Sequence, residues 1–485
     1  MLRIRLGPAL LAGAAATALG LPAPAAADTL RDALNGAYRT NPLLQGARAQ
    51  QRANDENVPI EKAAGRPSAD ASVQYIEFVK QSSTSFTAPA RSLGASVDLG
   101  VPIYSGGAVK NAVKAAKTRV EAGQADLRAT ESSIFAQTVA AYMDVIRGEA
   151  LVELNANQVE VLTVNTQATS DRFEIGDLTR TDVAQSEARL ALAQGDLRTA
   201  QANLISARED YIRLTGMAPD DLQPPPPLPG LPSSPAEAVA VALDNNPDLI
   251  AERERAKAAG FDINVAGASR LPRVSLFTGG DYTNYLGTLG SPTPGVNLPQ
   301  SSTGVQAGVQ VSVPIFQGGR PAALQRQAQA RSAAAQENVI AAERDVIAQV
   351  RSAYSSWQAA NQIIASTQSA VDAAELSLEG VRAENTVGNR TILDILNAEQ
   401  ELVVARSQLV TARRNAYVAG FSLLAAMGKA EARDLGLGDD GPLYDPQVNY
   451  DRVKGKWWDW DRDPDPVAQS TRTVDIPAPD AEIPR

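Results

Sequence analysis

The sequence predicts a mainly helical chain in which one plan, a β-hairpin followed by a very long helical hairpin, occurs twice. Three observations predict it. Landmark residues recur at a fixed interval: Pro102 and Pro314 stand 212 apart in matching Val-Pro-Ile-aromatic-x-Gly-Gly runs, and the same interval links Tyr142 with Tyr354, Gly176 with Gly388, Asp182 with Asp394 and Gly216 with Gly428. Apolar residues then repeat every seven positions over stretches far longer than an ordinary helix. Just before each Pro the apolar period is two instead. Such a repeat outranks a simple two-domain division of the 485 residues.

Residues 1–27 read as a secretory signal: Arg3 and Arg5, an Ala/Leu-rich core, then Pro24-Ala25-Ala26-Ala27 before Asp28. Cleavage after Ala27 is expected, and with no Cys in the chain no lipid-carrying thiol follows it. Loss of the two arginines takes the formal charge from −10 to −12, which disfavours nucleic acid as a partner because phosphate binding needs clustered cations. No later segment approaches the roughly 20 apolar residues of a membrane-spanning helix.

Repeat 1 is expected over 28–218 and repeat 2 over 235–428. Each begins with a helix near an Asn-Pro pair (Asn41-Pro42, Asn246-Pro247) that stands 205 apart, as do Pro67 and Pro272. The second copy therefore gains seven residues between Pro272 and Pro314, in a loop for which 290–295 is the obvious place. The strands before the two prolines alternate cleanly. Leu93, Ala95, Val97, Leu99 and Val101 alternate with polar or small residues, and so do Val305, Ala307, Val309, Val311 and Val313. Each is about ten residues long, the length of a tilted membrane strand. A weaker strand precedes each, around 71–80 and 274–286, with Tyr75, Phe78, Phe277, Tyr282 and Tyr285 as possible interface aromatics.

After the Gly-Gly pairs the period becomes seven. Val120, Leu127, Ile134 and Ala141 follow it in copy 1, and Val339, Val346 and Ala353 in copy 2. Leu190, Leu197, Leu204 and Tyr211, and then Leu402, Leu409, Ala416 and Leu423, follow it on the return arms. A seven-residue period keeps an apolar seam facing a partner helix. From Gly107 to about Phe173 is roughly 100 Å of helix. Each long helix runs into a Gly (Gly176, Gly388), crosses a few polar residues and restarts after a Thr that can cap the next helix. These are hairpin tips. Pro224 to Pro227 with Pro229 and Pro232 make 219–234 a stiff linker, and 429–485 reads as a tail, partly disordered from about 465. In the tail, Trp457, Trp458 and Trp460 suit either an interfacial anchor or a segment packed on the helices.

With no His and no Cys, imidazole bases, thiol nucleophiles, zinc sites and disulfides are all removed, and no phosphate-binding or nucleophile-elbow motif is present. The chain is not expected to be an enzyme, and no cofactor or metal is expected. Four strands cannot close a membrane barrel, for which about eight is the minimum, so the chain must oligomerise. A trimer gives twelve strands. A periplasmic coiled-coil adaptor or scaffold is the rival of another class, and the doubled β-hairpins speak against it.

Signal, repeat, paired β-hairpins and Gly-centred tips together resemble the TolC-type outer-membrane channel family, from Asp28 to about Gly428. The run from Arg172 to Leu190, with Gly176-Asp177-Leu178-Thr179-Arg180-Thr181-Asp182 at its centre, looks most like the branch serving type I secretion. The resemblance implies a homotrimer in the outer membrane of a Gram-negative bacterium, its β-barrel in lipid and its helical tunnel crossing the periplasm. It also implies a periplasmic adaptor (membrane fusion protein) and an inner-membrane pump of the ABC or RND kind. Arg390 matches the basic residue that ties the second hairpin to the first hairpin of a neighbouring chain, where Thr181 and Asp182 match its partners. Asp394 matches the first of two constriction aspartates; the second position is Asn397 here, and a gate tyrosine position is Asn385. The residues alone leave a plainer alternative open, since Arg390 and Asp394, four apart, also suit a pair on one helix face. The tips, Gly176-Asp177-Leu178-Thr179 and Gly388-Asn389-Arg390-Thr391, are expected to dock the adaptor. Cargo is undetermined: small-molecule efflux competes with protein secretion.

Overall fold

A computed structural model of the chain describes residues 28–81, 88–291, 293 and 295–482. The expected signal, 1–27, lies outside them. Copy 1 opens with three short helices, α1 (Leu30–Thr40), α2 (Pro42–Asp55) and α3 (Asn57–Ala63), followed by strands β1 (Ser68–Glu77) and β2 (Arg91–Tyr104). The long helix α4 (Ala108–Glu174) and its return arm α5 (Arg180–Thr215) complete it. Copy 2 repeats the order with α6 (Pro235–Asn245), α7 (Pro247–Gly267), β3 (Arg273–Asn284), β4 (Ser301–Ser312), α8 (Arg320–Thr386) and α9 (Ile392–Ala426). Both long helices have 67 residues, about 100 Å. The tail adds α10 (Pro446–Val453).

The same chemistry pins each copy. Asn41 and Asn246 each accept from the first-turn amides of α2 and α7, while their side-chain amides donate to the carbonyls of Leu214 (3.1 Å) and Ala426 (2.9 Å). Each Asn thus caps a helix and locks it to the end of the return arm. Tyr142 donates to the Asp28 and Gln223 carbonyls, and its repeat partner Tyr354 to that of Ser233. Both tyrosines anchor the connecting strands to a long helix. The heptad positions Val120, Leu127, Ile134 and Ala141 are buried, as are Leu402, Leu409, Ala416 and Leu423. The largest core gathers α1, the middle of α4, the end of α5 and tail residues Ala430, Ala432 and Leu437.

The two β-hairpins join into one antiparallel sheet of order β1-β2-β3-β4. Its register decides the surface: Tyr75 faces Leu93, Val73 faces Ala95, Val101 faces Leu276, Leu99 faces Thr278, and Leu276 faces Val309. Directly paired residues share a face, so most apolar positions of the four strands fall on one side, Ile76 and Phe277 being on the other. The other side carries Ser72, Ser96, Asp98, Asp281, Gln306 and Gln310, with the Phe277 ring against Gly308. Phe277, expected as an interface aromatic, therefore lies on the polar face; Tyr75 and Tyr282 lie on the apolar one. Apolar side chains there stand open, Val73 at 76% and Val305 at 88% exposure. Both outer strands, β1 and β4, leave a free edge. The expected extra loop is the β3–β4 connection, 285–300. Among the described residues no helix is long and apolar enough to cross a membrane.

The tail from 465, expected to be partly disordered, runs back along α5. Arg208 donates to the carbonyls of Asp480 (2.9 Å) and Glu482 (3.0 Å) while pairing with Glu149.

Candidate functional site at the hairpin tips

Both tips turn on the same two devices. The long helix ends when Gly176 or Gly388 takes a left-handed backbone (φ +84° and +80°) that side chains disfavour. The amides of Asp177 and Asn389 then donate back to the carbonyls of Arg172 (2.9 Å) and Glu384 (3.0 Å), satisfying the last helical turn. Thr179 and Thr391 cap the next helix. Each threonine accepts from the amide of Asp182 or Asp394, whose carboxylate accepts in return from the threonine amide and hydroxyl, at 2.7–2.9 Å. This is a complete capping box. The bonds from threonine favour the ionised form, so Asp182 and Asp394 are both held below the ordinary aspartate value.

The expected gate residues are then distributed as follows. Asp394 is already engaged with Thr391. Arg390 does not pair with it four residues on; its guanidinium binds Glu384 across the tip at 2.7 Å. Geometry explains the preference, because Glu384 lies on the opposite arm while the Asp394 oxygen is committed to the cap. Asn385 donates to the Arg390 carbonyl at 2.7 Å and stiffens the same turn. Thr181 is exposed in the first turn of α5. Asn397 accepts from Arg189 of α5 at 2.8 Å and thereby ties the second hairpin to the first within one chain. At tip 1, Arg172 closes on Asp177 at 2.6 Å, Leu178 is half-buried, and Ile175 is 81% exposed. Gly388, Asn389 and Thr391 are exposed at tip 2.

One centre was not anticipated from sequence. Glu399 on α9 is 3% exposed and accepts from Asn165 of α4 (3.1 Å to each oxygen) and from Arg382 of α8 (3.0 Å). Beside it Leu162, Ala193 and Leu396 form a small apolar cluster joining α4, α5 and α9. Carboxylate, amide and guanidinium together cross-brace the two hairpins above the tips. The repeat gives no hint of it: the positions equivalent to Glu399, Asn165 and Arg382 are Glu187, Ser377 and Ser170, and Glu187 is exposed. No cluster among the described residues could hold a metal ion.

Residues 33–217 and 238–429 match the model of the outer membrane efflux protein family, one segment per repeat. The chain is 34% identical over 434 residues to the outer membrane efflux protein BepC of Brucella suis, covering 90% of this chain and 92% of that one. It is 29% identical over 318 residues to the alkaline protease secretion protein AprF of Pseudomonas aeruginosa, 64% of each. The solved CmeC outer membrane channel of Campylobacter jejuni superposes with a TM-score of 0.73 at 16% identity, over 88% of this chain and 89% of that one, a likeness of fold.

Proposed function

The chain belongs to the outer membrane efflux protein family, the TolC-type channels, and from that premise we propose that three copies assemble into the exit duct of a type I protein-secretion system. As a member it is an outer-membrane channel of a tripartite export system, a transport duct and not an enzyme. The observation that carries the assembly is the sheet. Four strands with one continuous apolar face and two free edges cannot rest in lipid, where every backbone group needs a partner. β1 of one copy can pair antiparallel with β4 of the next, and three copies close twelve strands. The long hairpins then line a tunnel below the barrel.

Protein secretion is supported by the tip run Arg172–Leu190 and by the similarity to a protein named for protease secretion. Small-molecule efflux is the second reading, favoured by the similarity to BepC, named as an efflux protein. A deletion strain separates them. Loss of one or a few large proteins from the culture supernatant, with drug tolerance unchanged, supports secretion. Broad drug sensitivity with an intact secretome overturns it.

At the closed end, threefold symmetry brings three Asp394 carboxylates towards one axis, where they attract cations. In the trimer the Arg390 guanidinium, held by Glu384 in the single chain, would exchange that partner for Thr181 and Asp182 of a neighbour. Arg390→Ala is expected to raise single-channel conductance and Asp394→Asn to lower cation preference; unchanged traces for both remove the gate assignment. The exposed tips dock the adaptor, and crosslinks from Leu178 to a co-expressed adaptor test that contact.

A further inference from the structure

The tail holds three indoles in the open. Trp457, Trp458 and Trp460 are 69%, 68% and 86% exposed. A soluble surface rarely displays three neighbouring tryptophans, because each presents a large apolar ring to water. Their backbone is nevertheless firmly held. Lys62 donates to the Lys454 carbonyl at 2.6 Å and Arg66 to the Lys456 carbonyl at 2.7 Å. Lys456 pairs with Asp461, and Arg452 with Asp463, closing the segment on itself. The preceding helix α10 adds Tyr450 to the cluster of Val58, Ala116 and Val120. The indoles are thus projected outward by a braced scaffold.

Their height is fixed by what holds them. Arg66 lies two residues before β1 begins, and Gly65 abuts Val109 in the first turn of α4. This is where strands give way to helices, the periplasmic rim of the apolar sheet face. Around the same point lie Lys62, Arg66, Lys117 and Lys454. Burial, and then the positive charges of Lys117, Arg66 and Lys454, hold the Lys62 ammonium below the ordinary lysine value. Lys454 is itself paired with Asp451 at 2.6 Å, so Lys62, Arg66 and Lys117 make up the basic side of this point.

We infer that Trp457, Trp458 and Trp460, with Lys62 and its basic neighbours, form an anchor that inserts indole rings into the headgroup region of the membrane's periplasmic leaflet and sets its basic side chains against glycerophospholipid phosphate. Indole suits that region because its ring is apolar and its N–H needs a polar partner. The anchor continues the apolar sheet face downward by one interfacial layer, and that continuity selects lipid over another protein surface. Asp459, Asp461 and Asp463 lie on the indole segment itself, so the phosphate contact rests on Lys62, Arg66 and Lys117 beside it. It fixes the depth at which the barrel meets the helical tunnel.

The chain's own fluorescence tests this. It has four Trp, and the fourth, Trp357, lies 37 residues into α8, about 55 Å from the start of that helix. There it packs edge-on against Tyr354, well outside any bilayer. Purified full-length channels are reconstituted into bilayers of phosphatidylcholine brominated near the headgroup, and into the unbrominated lipid. Emission of the native protein is expected to fall about twofold in the brominated lipid. The variant carrying Trp457→Ala, Trp458→Ala and Trp460→Ala, left with Trp357 alone, should be equally bright in both. Equal emission of the native protein in the two lipids overturns the proposal and means that protein, such as a neighbouring copy, covers the indoles. Single-channel conductance of the same samples reports barrel assembly separately, so loss of the channel and loss of the anchor are read apart.

Discussion

The two hairpin tips share a helix end, a helix start and the capping aspartate, and differ in the other charges attached to them. Gly176 and Gly388 turn the chain alike, and Thr179–Asp182 and Thr391–Asp394 cap alike. Position for position, however, Arg172 stands where Glu384 stands, and Leu178 where Arg390 stands. Tip 1 closes its own ion pair and presents an apolar residue, whereas tip 2 presents a cation held by a carboxylate on the opposite arm. Above them, Glu399 is braced by Arg382 and Asn165 while its counterpart Glu187 faces water. A duplicated chain has kept the backbone signals in both copies and let the side chains diverge. Caps and glycines are needed to make any tip; charges are needed only where the tips meet something.

The sharpest way to break this comparison is at the brace. Glu399→Ala removes a buried carboxylate and strands Asn165, so a loss of about 2 kcal/mol is expected, tempered by the half-exposed Arg382. Glu187→Ala should cost almost nothing. Hydrogen exchange along α5 and α9 reads both, and equal losses would show that the brace is no more than surface charge. The caps come next. Thr179→Ala and Thr391→Ala should each release about 1 kcal/mol of local helix stability, seen as faster exchange in the first turns of α5 and α9. A matching change in conductance is expected only for Thr391→Ala.

The smallest effect is in titration. In the single chain both capping aspartates sit below the ordinary value, so their contribution is present above it and is lost as pH falls through the lowered folded value. In an assembled channel, mutual repulsion among three Asp394 carboxylates pushes that value up, while Asp182 keeps its low one. Tip 2 should therefore lose its cap at a higher pH than tip 1. Loss of both at one pH would mean that no carboxylate ring forms.

Much of this was legible in the residues because it depends on neighbours along the chain. The heptad set the 67-residue helices nearly to the residue: Gly107 to about Phe173 was expected, and α4 spans Ala108–Glu174. The Thr caps followed from a short-range preference, and the alternation in 93–101 and 305–313 announced a two-faced strand. Asp394 was harder. As a member of a capping box it is occupied within its own turn, a role shared with Asp182 that pattern alone did not separate from a gate.

The sequence by itself determined the period of the long helices and of β2 and β4, where the long helices begin and end, and that the plan is repeated. β1, expected around 71–80, lies at Ser68–Glu77, and the opening helix is broken into three in copy 1 and two in copy 2. Periodicity, glycine and capping act over one or two turns of chain, and their physics is written in consecutive residues. Only the tertiary structure decided which strand pairs with which, which apolar faces coincide, which carboxylate is buried and where the tail comes to rest. β2 meets β3 across 170 residues or more, Asn165 meets Glu399 across 234, and Arg208 meets Asp480 across 272. Contacts at that separation depend on how whole helices are placed, and no local preference encodes them.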